Sequence, residues 1–535
     1  MNSQSVSMGR VRSRAVFAGA VLSSALVSGG WFVERGLFHA TTPVPDGARL
    51  FEAVYTRVAH DYVDTLSDSA LYTDAATGLV DELNDPHSAY LSPSLLVSLS
   101  ERTSGRYAGV GAQIDVRDGW ITIVAPLPGG AAEAAGVRTG DRIVEVNGQP
   151  MHGVSVEEAQ KALRGNPGSL VRVTVERPGV PTPIKFALTR REVHVRSVQH
   201  ATMLSPDVGY VALSIFSEES ATDLRRAIDS LRAAGMKTLI FDLRSDPGGL
   251  LDQGVAVADL FLDPGQLIVS MRGRTSDANG MFSDRAPQPW PQMPLAVLVD
   301  SNSASAAEIV AGALQDHDRA VLLGTTTYGK GSAQNLFPVD HGAAVKLTTA
   351  RWFTPSGRSI DRRRLNADTV VADTTKARPR YKTDAGRIVL GGGGISPDVR
   401  LSASTLTAAD SSFDRALGKQ IPQFRDALTD YALSLKASGT IKAPDFAVTP
   451  AMRGELLARM RSRGIQVDSV TFQRAAPFID QLLGYEIARY VFGENAEFAR
   501  RLRDDPQITR AVQFVRGAAT PADLLRRAAA DSARR

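Results

Sequence analysis

The sequence contains no cysteine among its 535 residues. This absence excludes thiol catalysis, disulfides and thiolate metal sites, and is compatible with an oxidising compartment. An excess of charge of one sign is also lacking, because 61 Lys and Arg against 57 Asp and Glu leave a net charge of +4. No basic stripe interleaved with aromatics stands out, so no nucleic-acid binding is expected. The eight histidines lack ligand-like spacing, and the sequence predicts no metal site and no cofactor.

The N-terminus carries the pattern of an export segment. Three arginines precede an uncharged run from Ala15 to Val33, which Glu34 and Arg35 terminate. The run is long enough to span a bilayer, but its glycines and serines weaken it, and residues 27–29 fit a cleavage site. Residues 1–40 are therefore either a cleaved signal peptide or an anchor in the inner membrane. The arginines place the body of the chain outside the cytoplasm, in the periplasm or cell envelope.

The length of the chain and the changes in residue pattern along it predict several domains. Apolar residues at helical spacing from Leu50 to Tyr62 indicate an N-terminal helical unit over residues 46–100. A β-rich domain is expected over 101–193 and an α/β layer over 194–402. Residues 403–535 read as an appended helical extension without a chemical motif, which leaves a dimerisation element and an adaptor-docking element as alternatives.

The β-rich region has two glycine-containing motifs. The first is the turn Gly109-Val110-Gly111-Ala112, and the second is the run Gly140-Asp141-Arg142-Ile143-Val144-Glu145-Val146-Asn147-Gly148, followed by a helix near residues 156–163. This order resembles a PDZ domain. The resemblance implies that the turn from Gly109 to Ala112 binds the terminal carboxylate of a peptide, which adds a strand to the sheet.

Short, continuous apolar strands separated by helices predict a parallel-rich sheet with both faces covered. Two examples are the strands 238–243 and 295–299. Functional sites in such sheets form in the loops after the carboxyl ends of the strands. The loop Pro247-Gly248-Gly249 and the segment around Ser305 both occupy such positions.

Ser305 precedes an apolar-periodic helix, so free N–H groups and the positive end of a helix dipole lie beside its hydroxyl. The amide of Ala306 is placed to stabilise an oxyanion, and Gly248 or Gly249 can supply a second donor. The plainer interpretation of Ser305 to Glu308 is a capping box. Lys330, in the loop Gly329-Lys330-Gly331, supplies a possible base for the serine, provided that burial favours its neutral form.

His317 is the alternative base. It lies twelve residues after Ser305, which is about 18 Å along a continuous helix at roughly 1.5 Å per residue. A serine–histidine pair is therefore disfavoured.

Several motifs fall in the order found in the C-terminal processing peptidases, also called tail-specific proteases, and the chain resembles that family from about residue 48 to about residue 400. They are Asp85-Pro86-His87-Ser88-Ala89-Tyr90-Leu91, the PDZ run, Asp242-Leu243-Arg244-Ser245-Asp246-Pro247-Gly248-Gly249, the Ser305 segment, Gln315-Asp316, Gly329-Lys330-Gly331 and Phe353-Thr354-Pro355-Ser356-Gly357-Arg358-Ser359-Ile360.

The resemblance implies a crotonase-like α/β protease core with an inserted PDZ domain, and it assigns roles to site residues. Ser305 is the nucleophile, Lys330 the general base and Gln334 the group that orients the lysine. Ala306 and Gly248 form the oxyanion hole, and Asp316 supports the structure. Ala307 departs from the family pattern, which has serine there; the change removes a neighbouring hydroxyl but keeps the nucleophile.

The sequence thus predicts an exported serine endopeptidase that cuts proteins near their C-termini, with the PDZ domain binding the substrate tail and gating the site. The alternative function, from a different class of protein, is a catalytically silent PDZ scaffold that recruits envelope proteins. Retention of Ser305, Lys330 and Gln334 disfavours it. A crotonase-like acyl-transfer or lipid-binding enzyme rests on fold analogy alone and is disfavoured by the PDZ insertion.

Overall fold

The computed structural model describes residues 46–127, 129–362, 378–402 and 406–533. The expected export segment, residues 1–40, lies outside these ranges. Within the described ranges, no helix is both long and apolar enough to cross a bilayer. Internal contacts divide the chain after Leu83 into a short N-terminal unit and a second unit that runs from Asn84 to Arg535.

The described part of the N-terminal unit, from residue 46 onward, contains two helices, α1 (Asp46–Asp61) and α2 (Asp68–Asp81). Ser67 caps α2, because its hydroxyl accepts the N–H of Ala70 at 3.2 Å. The rings of Tyr55 and Tyr72 stack with their centroids 4.5 Å apart, which joins the two helices.

The second unit begins with a short strand, β1 (Ala89–Leu91), and a helix, α3 (Pro93–Ser104). The sequence placed both in the N-terminal helical unit, up to residue 100. In the structure β1 pairs with a strand formed by Ala344–Phe353. The helical unit of the structure is therefore shorter than the sequence indicated, because three residues of extended chain complete a distant sheet.

A small β domain follows. Its elements are β2 (Arg106–Gly109), β3 (Ala112–Arg117), β4 (Trp120–Pro126), α4 (Ala131–Ala134), β5 (Arg142–Val146), β6 (Gln149–Pro150), α5 (Val156–Leu163), β7 (Leu170–Glu176), β8 (Ile184–Thr189) and β9 (Arg191–His194). Strands β3, β4, β5, β7 and β8 form an antiparallel sheet, and β2 pairs with β9. The Asn147-Gly148 turn joins β5 to β6, with positive φ at both residues, as a tight hairpin requires.

The larger sheet has six strands in the order β10, β11, β12, β15, β16, β21, and every neighbouring pair is parallel except β10 with β11. Its strands and intervening helices are β10 (Val198–Ser205), β11 (Val208–Leu213), α6 (Ser220–Ala233), β12 (Thr238–Asp242), α7 (Leu251–Asp259), β15 (Leu295–Val299), α8 (Ala306–Asp316), β16 (Val321–Gly324) and β21 (Val399–Arg400). Strands β12 and β15 are buried throughout, as their unbroken apolar runs predict.

A second, five-stranded sheet packs beside this layer. It consists of β1, β13 (Leu267–Gly273), β14 (Gly280–Ser283), β17 (Ser332–Pro338) and β18 (Ala344–Phe353). The hairpin of β17 and β18 begins two residues after Lys330. A separate two-stranded ribbon contains β19 (Arg380–Lys382) and β20 (Ile388–Leu390).

The C-terminal region is helical, as expected. Its helices are α9 (Ala408–Leu417), α10 (Ile421–Ser438), α11 (Pro450–Ser462), α12 (Ser469–Arg474), α13 (Ala476–Phe492), α14 (Glu494–Asp504), α15 (Pro506–Val515) and α16 (Pro521–Ala533). Helices α9 to α13 bury a core of their own. Polar contacts join them to the small β domain: Arg463 pairs with Asp118, and Arg425 pairs with Asp115 at 2.7 Å.

The last helices complete the larger sheet. Apolar side chains of α14 to α16, among them Leu502, Ile508 and Leu524, share a buried cluster with Ile240 and Leu298 of the sheet. The opposite face of the sheet is covered by α6, α7 and α8. The extension therefore supplies one of the two layers that bury the central strands.

Candidate active site

Ser305 lies between the carboxyl end of β15 and the first residue of α8. Its backbone has φ 54° and ψ −114°, a conformation that is uncommon for a residue with a side chain. Such strain costs of order 1–3 kcal/mol and persists where surrounding contacts enforce it. The arrangement places a hydroxyl-bearing residue on a sharp turn at the N-terminus of a buried helix.

The buried carboxylate of Glu308 connects two loops of the site. It accepts the Ser305 N–H at 3.0 Å and, from the loop after β16, the Gly329 and Lys330 N–H groups at 2.7 and 2.9 Å. It also accepts the hydroxyl of Thr327 at 2.5 Å. Burial raises the pKa of Glu308, and these four donors oppose that effect.

Of the two hydrogen bonds that define a capping box, only one is formed at Ser305. Glu308 binds the Ser305 N–H as in a capping box, but the Glu308 N–H donates to the Ser305 carbonyl at 2.9 Å. The sequence motif identified the pair correctly, but it could not show that the carboxylate also holds the loop of Lys330.

Lys330 is partly buried beside this carboxylate. Burial lowers the pKa of Lys330 below its usual value, and the positive charge of Lys346 on β18 acts in the same direction. Glu308 and Asp85 oppose the shift. Among the described residues, no hydrogen bond joins Ser305 Oγ to Lys330 Nζ. The two loops are linked by the Glu308 carboxylate and by the Tyr328 N–H, which donates to the Ser303 carbonyl at 3.0 Å.

Gln334 lies on β17, opposite Thr348 of β18. Its side-chain amide donates to the hydroxyls of Ser332 at 3.0 Å and Thr348 at 3.1 Å. These bonds fix the Gln334 side chain on the hairpin that follows Lys330, and neither is to the lysine itself.

The glycines of the Pro247-Gly248-Gly249 loop pack against Ser305. A Cβ atom added to Gly248 would lie 2.8 Å from both Ser305 Cβ and Ala306 N, and Gly248 has φ +91°. Only glycine fits this close approach at that φ. The Gly248 N–H donates to Asp246 Oδ1 at 2.8 Å, whereas the N–H groups of Gly249 and Ala306 donate to no other described residue.

His87 was quoted in a sequence motif without a role, and the structure brings it close to the site. Burial lowers the pKa of His87, and the charge of Lys330 lowers it further. The motif is anchored by Ser88, whose hydroxyl donates to Asp85 at 2.6 Å and accepts the Thr348 N–H at 3.0 Å. Nothing in the sequence indicated that Lys346 or His87 lies near Lys330, because only the pairing of β1 and β17 with β18 brings them there.

The other end of α8 is built by the motif that ends at Ile360. Asp316 forms a buried ion pair with Arg358 at 2.7 Å and accepts the Thr354 hydroxyl at 2.5 Å. His317 ends the helix and contacts Asp384 and the Leu267 carbonyl, each at 2.7 Å. These contacts fit the structural role expected of Asp316, and His317 lies a full helix length from Ser305.

A groove of about 410 Å³ opens along β3 in the small β domain. The four residues of the predicted carboxylate-binding turn line it, together with Ile114, Leu127, Leu163 and Arg489. The N–H groups of Val110 and Gly111 donate to no other described residue. Such free amides at the end of an edge strand suit a carboxylate. Arg489, which belongs to α13 of the extension, was not anticipated from the sequence.

Within the described ranges, no group of three or more His, Asp or Glu side chains is arranged to hold a metal ion. The loops around Ser305 contribute its hydroxyl, the partly buried Lys330 and the amides of Gly249 and Ala306.

Comparison with known proteins identifies two family models in the chain. Peptidase family S41 matches residues 207–371, a range that contains Gly248, Ser305 and Lys330. A PDZ domain model matches residues 122–177, within the small β domain.

Individual proteins extend the similarity. The chain is 36% identical over 325 residues to the carboxy-terminal-processing protease of Bartonella bacilliformis, a match that covers 60% of this chain and 74% of that protein. It is also 36% identical over 309 residues to the carboxy-terminal processing protease CtpA of Bacillus subtilis, covering 58% and 66% respectively. Among solved structures, the photosystem II D1 C-terminal processing protease matches with 30% identity and a TM-score of 0.37, over 69% of this chain and 90% of that one.

Proposed function

The chain belongs to the S41 peptidase family and to its carboxy-terminal processing proteases, and on that premise we propose that it is an exported endopeptidase in which Ser305 is the nucleophile and Lys330 the general base. Its substrates are proteins with free C-terminal tails. The observation that carries this proposal is the Glu308 carboxylate, which binds the backbone of Ser305 and of Lys330 at once.

In the proposed reaction, neutral Lys330 takes the proton of the Ser305 hydroxyl as its oxygen attacks the scissile carbonyl. The resulting ammonium then gives this proton to the departing amine, which leaves an acyl-enzyme on Ser305. Water attacks the ester while Lys330 takes its proton, and Lys330 then returns that proton to Ser305 Oγ as the shortened protein leaves. The depressed pKa of Lys330 supports this role, because a larger fraction of the amine is neutral near physiological pH.

The developing oxyanion needs donors that are not otherwise engaged. The Ala306 N–H at the start of α8 is one such donor, and the helix dipole adds to its effect. Of the two loop glycines, Gly249 has the free amide, whereas the Gly248 amide is bonded to Asp246. We therefore place Ala306 and Gly249 in the oxyanion hole and assign to Gly248 the close approach that the turn needs.

Gln334 orients the base in this proposal. Its amide nitrogen is occupied by two hydroxyls, which leaves its carbonyl oxygen as the acceptor for the Lys330 ammonium that forms during the reaction. The group thus stabilises the charged intermediate state of the base.

The PDZ domain selects substrates by their tails. The groove along β3 offers free amides for a terminal carboxylate and apolar walls for the last side chains. A held tail raises the local concentration of the scissile bond at Ser305. Coupling between tail binding and the geometry of Lys330 would let the domain gate the site.

Two further features complete the proposal. The protease core is crotonase-like with the PDZ domain inserted into it, which is supported by the pairing of β1, before the domain, with β18, after it. The protein works in the periplasm or cell envelope, on the strength of the arginine-flanked apolar run in residues 1–40. That run is removed as a signal peptide or retained as an inner-membrane anchor.

The test is labelling and cleavage by the purified protein, with and without a tail peptide that carries a free carboxylate. We expect a serine-directed fluorophosphonate probe to label the wild type and not Ser305→Ala, and Ser305→Ala and Lys330→Ala each to abolish cleavage while retaining tail binding. Cleavage that persists in either variant contradicts the assignment. Tail binding without labelling under any condition indicates the silent scaffold instead.

A further inference from the structure

Asp246 is the feature of the site that the reaction above does not use. Its side chain is fully buried in the loop after β12, and the loop is tied to the nucleophile because the Ala304 N–H donates to the Asp246 carbonyl at 2.9 Å. The only hydrogen bond to its carboxyl group within the described residues comes from Gly248 N–H, at 2.8 Å to Oδ1. The second oxygen, Oδ2, is buried and has no partner there.

A carboxylate anion is poorly accommodated in such surroundings. An ionised carboxylate that is buried needs a cation or several donors, and this one has a single amide. Burial accordingly raises the pKa of Asp246 well above its usual value, while the Gly248 amide opposes the shift only in part. A neutral carboxylic acid keeps the Oδ1 acceptor and avoids a buried charge.

The position of Asp246 makes its charge matter for the reaction. Gly248, the residue that it holds, packs against Ser305 and Ala306, so an anion at Asp246 would lie close to the place where the tetrahedral oxyanion forms. Two like charges at such a distance repel strongly in a buried site.

Resting on the proposed function, we propose that Asp246 is a positioning residue that works as a neutral carboxylic acid: its Oδ1 holds the Gly248 turn of the oxyanion hole, and its ionisation disables that hole. Activity then depends on pH in two ways. It rises as Lys330 loses its proton and falls again at higher pH as Asp246 loses its own.

The neighbouring charged groups each have other partners. On the same loop, Arg244 is paired with Asp242 and Asp505. Before α8, Asp300 accepts the N–H of Ser245. Glu308 accepts four donors of its own, and Lys330 is the base itself. Burial raises the pKa of Glu308 as well, but four donors bind its carboxylate whereas one amide binds that of Asp246, so the alkaline decline is assigned to Asp246.

The main experiment is a pH profile of kcat and KM for Asp246→Asn, which retains the Oδ1 acceptor and cannot ionise. We expect it to keep the acidic rise, to lose the alkaline decline and to cleave within a few-fold of the wild type at neutral pH. Asp246→Ala, which removes the acceptor, should lower kcat about ten- to hundredfold at every pH with little change in KM. An unchanged alkaline decline in Asp246→Asn, or a loss above tenfold at every pH, overturns the proposal.

Asp284 provides a matched control. It is also buried, its Oδ1 accepts an amide two residues later, from Ala286 at 2.8 Å, and its Oδ2 likewise has no partner in the described chain. Burial raises the pKa of Asp284 to about 6. Because it lies at the end of β14 and not in the oxyanion loop, Asp284→Asn should leave the pH profile of cleavage unchanged.

A readout without catalysis separates this inference from the proposed function. An acid whose pKa is raised on folding stabilises the folded state at low pH and loses that effect as pH rises through the folded pKa. The loss begins at the ordinary aspartate pKa of 3.8, above which the unfolded chain ionises first. In a Ser305→Ala background, the Tm of Asp246→Asn relative to that of the parent should therefore rise as pH increases above this value. A Tm difference that stays the same at every pH would contradict a neutral Asp246 carboxyl group. If the Asn variant does not fold, infrared difference spectra of the wild type and Asp246→Ala at neutral pH decide the same question, because the protonated carboxyl band of Asp246 is present in the wild type and absent from Asp246→Ala.

Discussion

The side-chain carboxylate of Glu308 accepts the backbone N–H of Lys330 at 2.9 Å and also accepts the backbone N–H of Ser305 at 3.0 Å. In Glu308→Gln an amide NH2 replaces one carboxylate oxygen. At Oε1 it faces the Gly329 N–H, and at Oε2 it faces the N–H groups of Ser305 and Lys330, so either orientation leaves buried donors unsatisfied. We expect a loss of about 3 kcal/mol or more in the free energy of unfolding, since buried unsatisfied donors cost about 1–3 kcal/mol each. Cleavage should fall at least about tenfold in the protein that remains folded.

Chemical denaturation and single-turnover cleavage measure the two effects separately. Glu157→Gln, an exposed acid in the first turn of α5, is the control and should change neither quantity. If Glu308→Gln cleaves at the wild-type rate, the carboxylate does not position the base.

Lys346 is expected to set the pH at which the base becomes active. Its charge lowers the pKa of Lys330 in addition to the effect of burial. Removing that charge in Lys346→Met raises the pKa of Lys330, so the rising limb of kcat against pH should move to higher pH. Lys346→Arg keeps the charge and should leave the limb nearly in place, and Lys185→Met, on an exposed position of β8, serves as a second control. An unmoved limb in Lys346→Met would show that burial alone determines the shift.

The lowered pKa of Lys330 also predicts a stability cost. The folded state disfavours the ammonium, so stability is lost as pH falls from the unfolded pKa of the lysine through its folded pKa, and the full cost remains below that. Lys330→Met should therefore raise Tm at acidic pH while abolishing cleavage. The gain should vanish near pH 10.5, above which the lysine is neutral in both states. If Lys330→Met raised Tm equally at acidic pH and near pH 10.5, a lowered pKa of Lys330 would be contradicted.

The buried pair of Asp316 and Arg358 should matter for stability and not for proton transfer. Both side chains are at most 2% exposed, so Asp316→Asn leaves an uncompensated guanidinium, which costs about 3–5 kcal/mol. At temperatures where the variant is folded, kcat should equal that of the wild type. Asp61→Asn, which removes an exposed ion pair with Arg57, should leave stability almost unchanged. A large fall in kcat of folded Asp316→Asn would place that carboxylate in the reaction.

The sequence predicted the parts of the molecule whose signals are local. The unbroken apolar runs of β12 and β15 indicated buried parallel strands, and Ser305 at the start of an apolar-periodic helix indicated its position on α8. Glycine in a loop after a parallel strand indicated that Gly248 or Gly249 lies near the nucleophile as an oxyanion donor, and the structure packs Gly248 against Ser305. Each of these depends on neighbours a few residues apart in the chain.

What the sequence did not indicate depends on pairing between distant segments. Lys346 and His87 reach Lys330 only because β1 and β17 lie on either side of β18. The extension was expected as an appended domain, but α14 to α16 cover a face of the larger sheet. Amphipathic helices show that a face is apolar without showing which surface it covers, and so neither relationship can be read from periodicity.

Leu524 tests whether the last helix belongs to the core. Its side chain is fully buried in α16, in the cluster that covers Ile240 and Leu298. Leu524→Ala should cost about 2–5 kcal/mol of the free energy of unfolding. Leu406→Ala, at a position 51% exposed just before α9, should change it by no more than about 0.5 kcal/mol. A small effect of Leu524→Ala on the unfolding of the protease unit would show that the extension is an independent domain.

Gly111 tests the proposal that the turn of the PDZ groove binds a carboxylate. It has φ +72°, and an added Cβ would lie 2.7 Å from the Cα of Gly130 in the adjoining loop. Gly111→Ala must therefore displace one loop or the other and turn the free amides away from the terminal carboxylate. In a Ser305→Ala background we expect the Kd for a fluorescent peptide with a free carboxylate to rise at least about tenfold, whereas the same peptide with an amidated terminus binds both proteins weakly. Gly179→Ala is the matched control, because Gly179 has φ +84° and nothing within 4 Å of the added atom. It carries the same conformational strain away from the groove, so a comparable loss of affinity in both variants would trace the effect to general destabilisation and not to the turn.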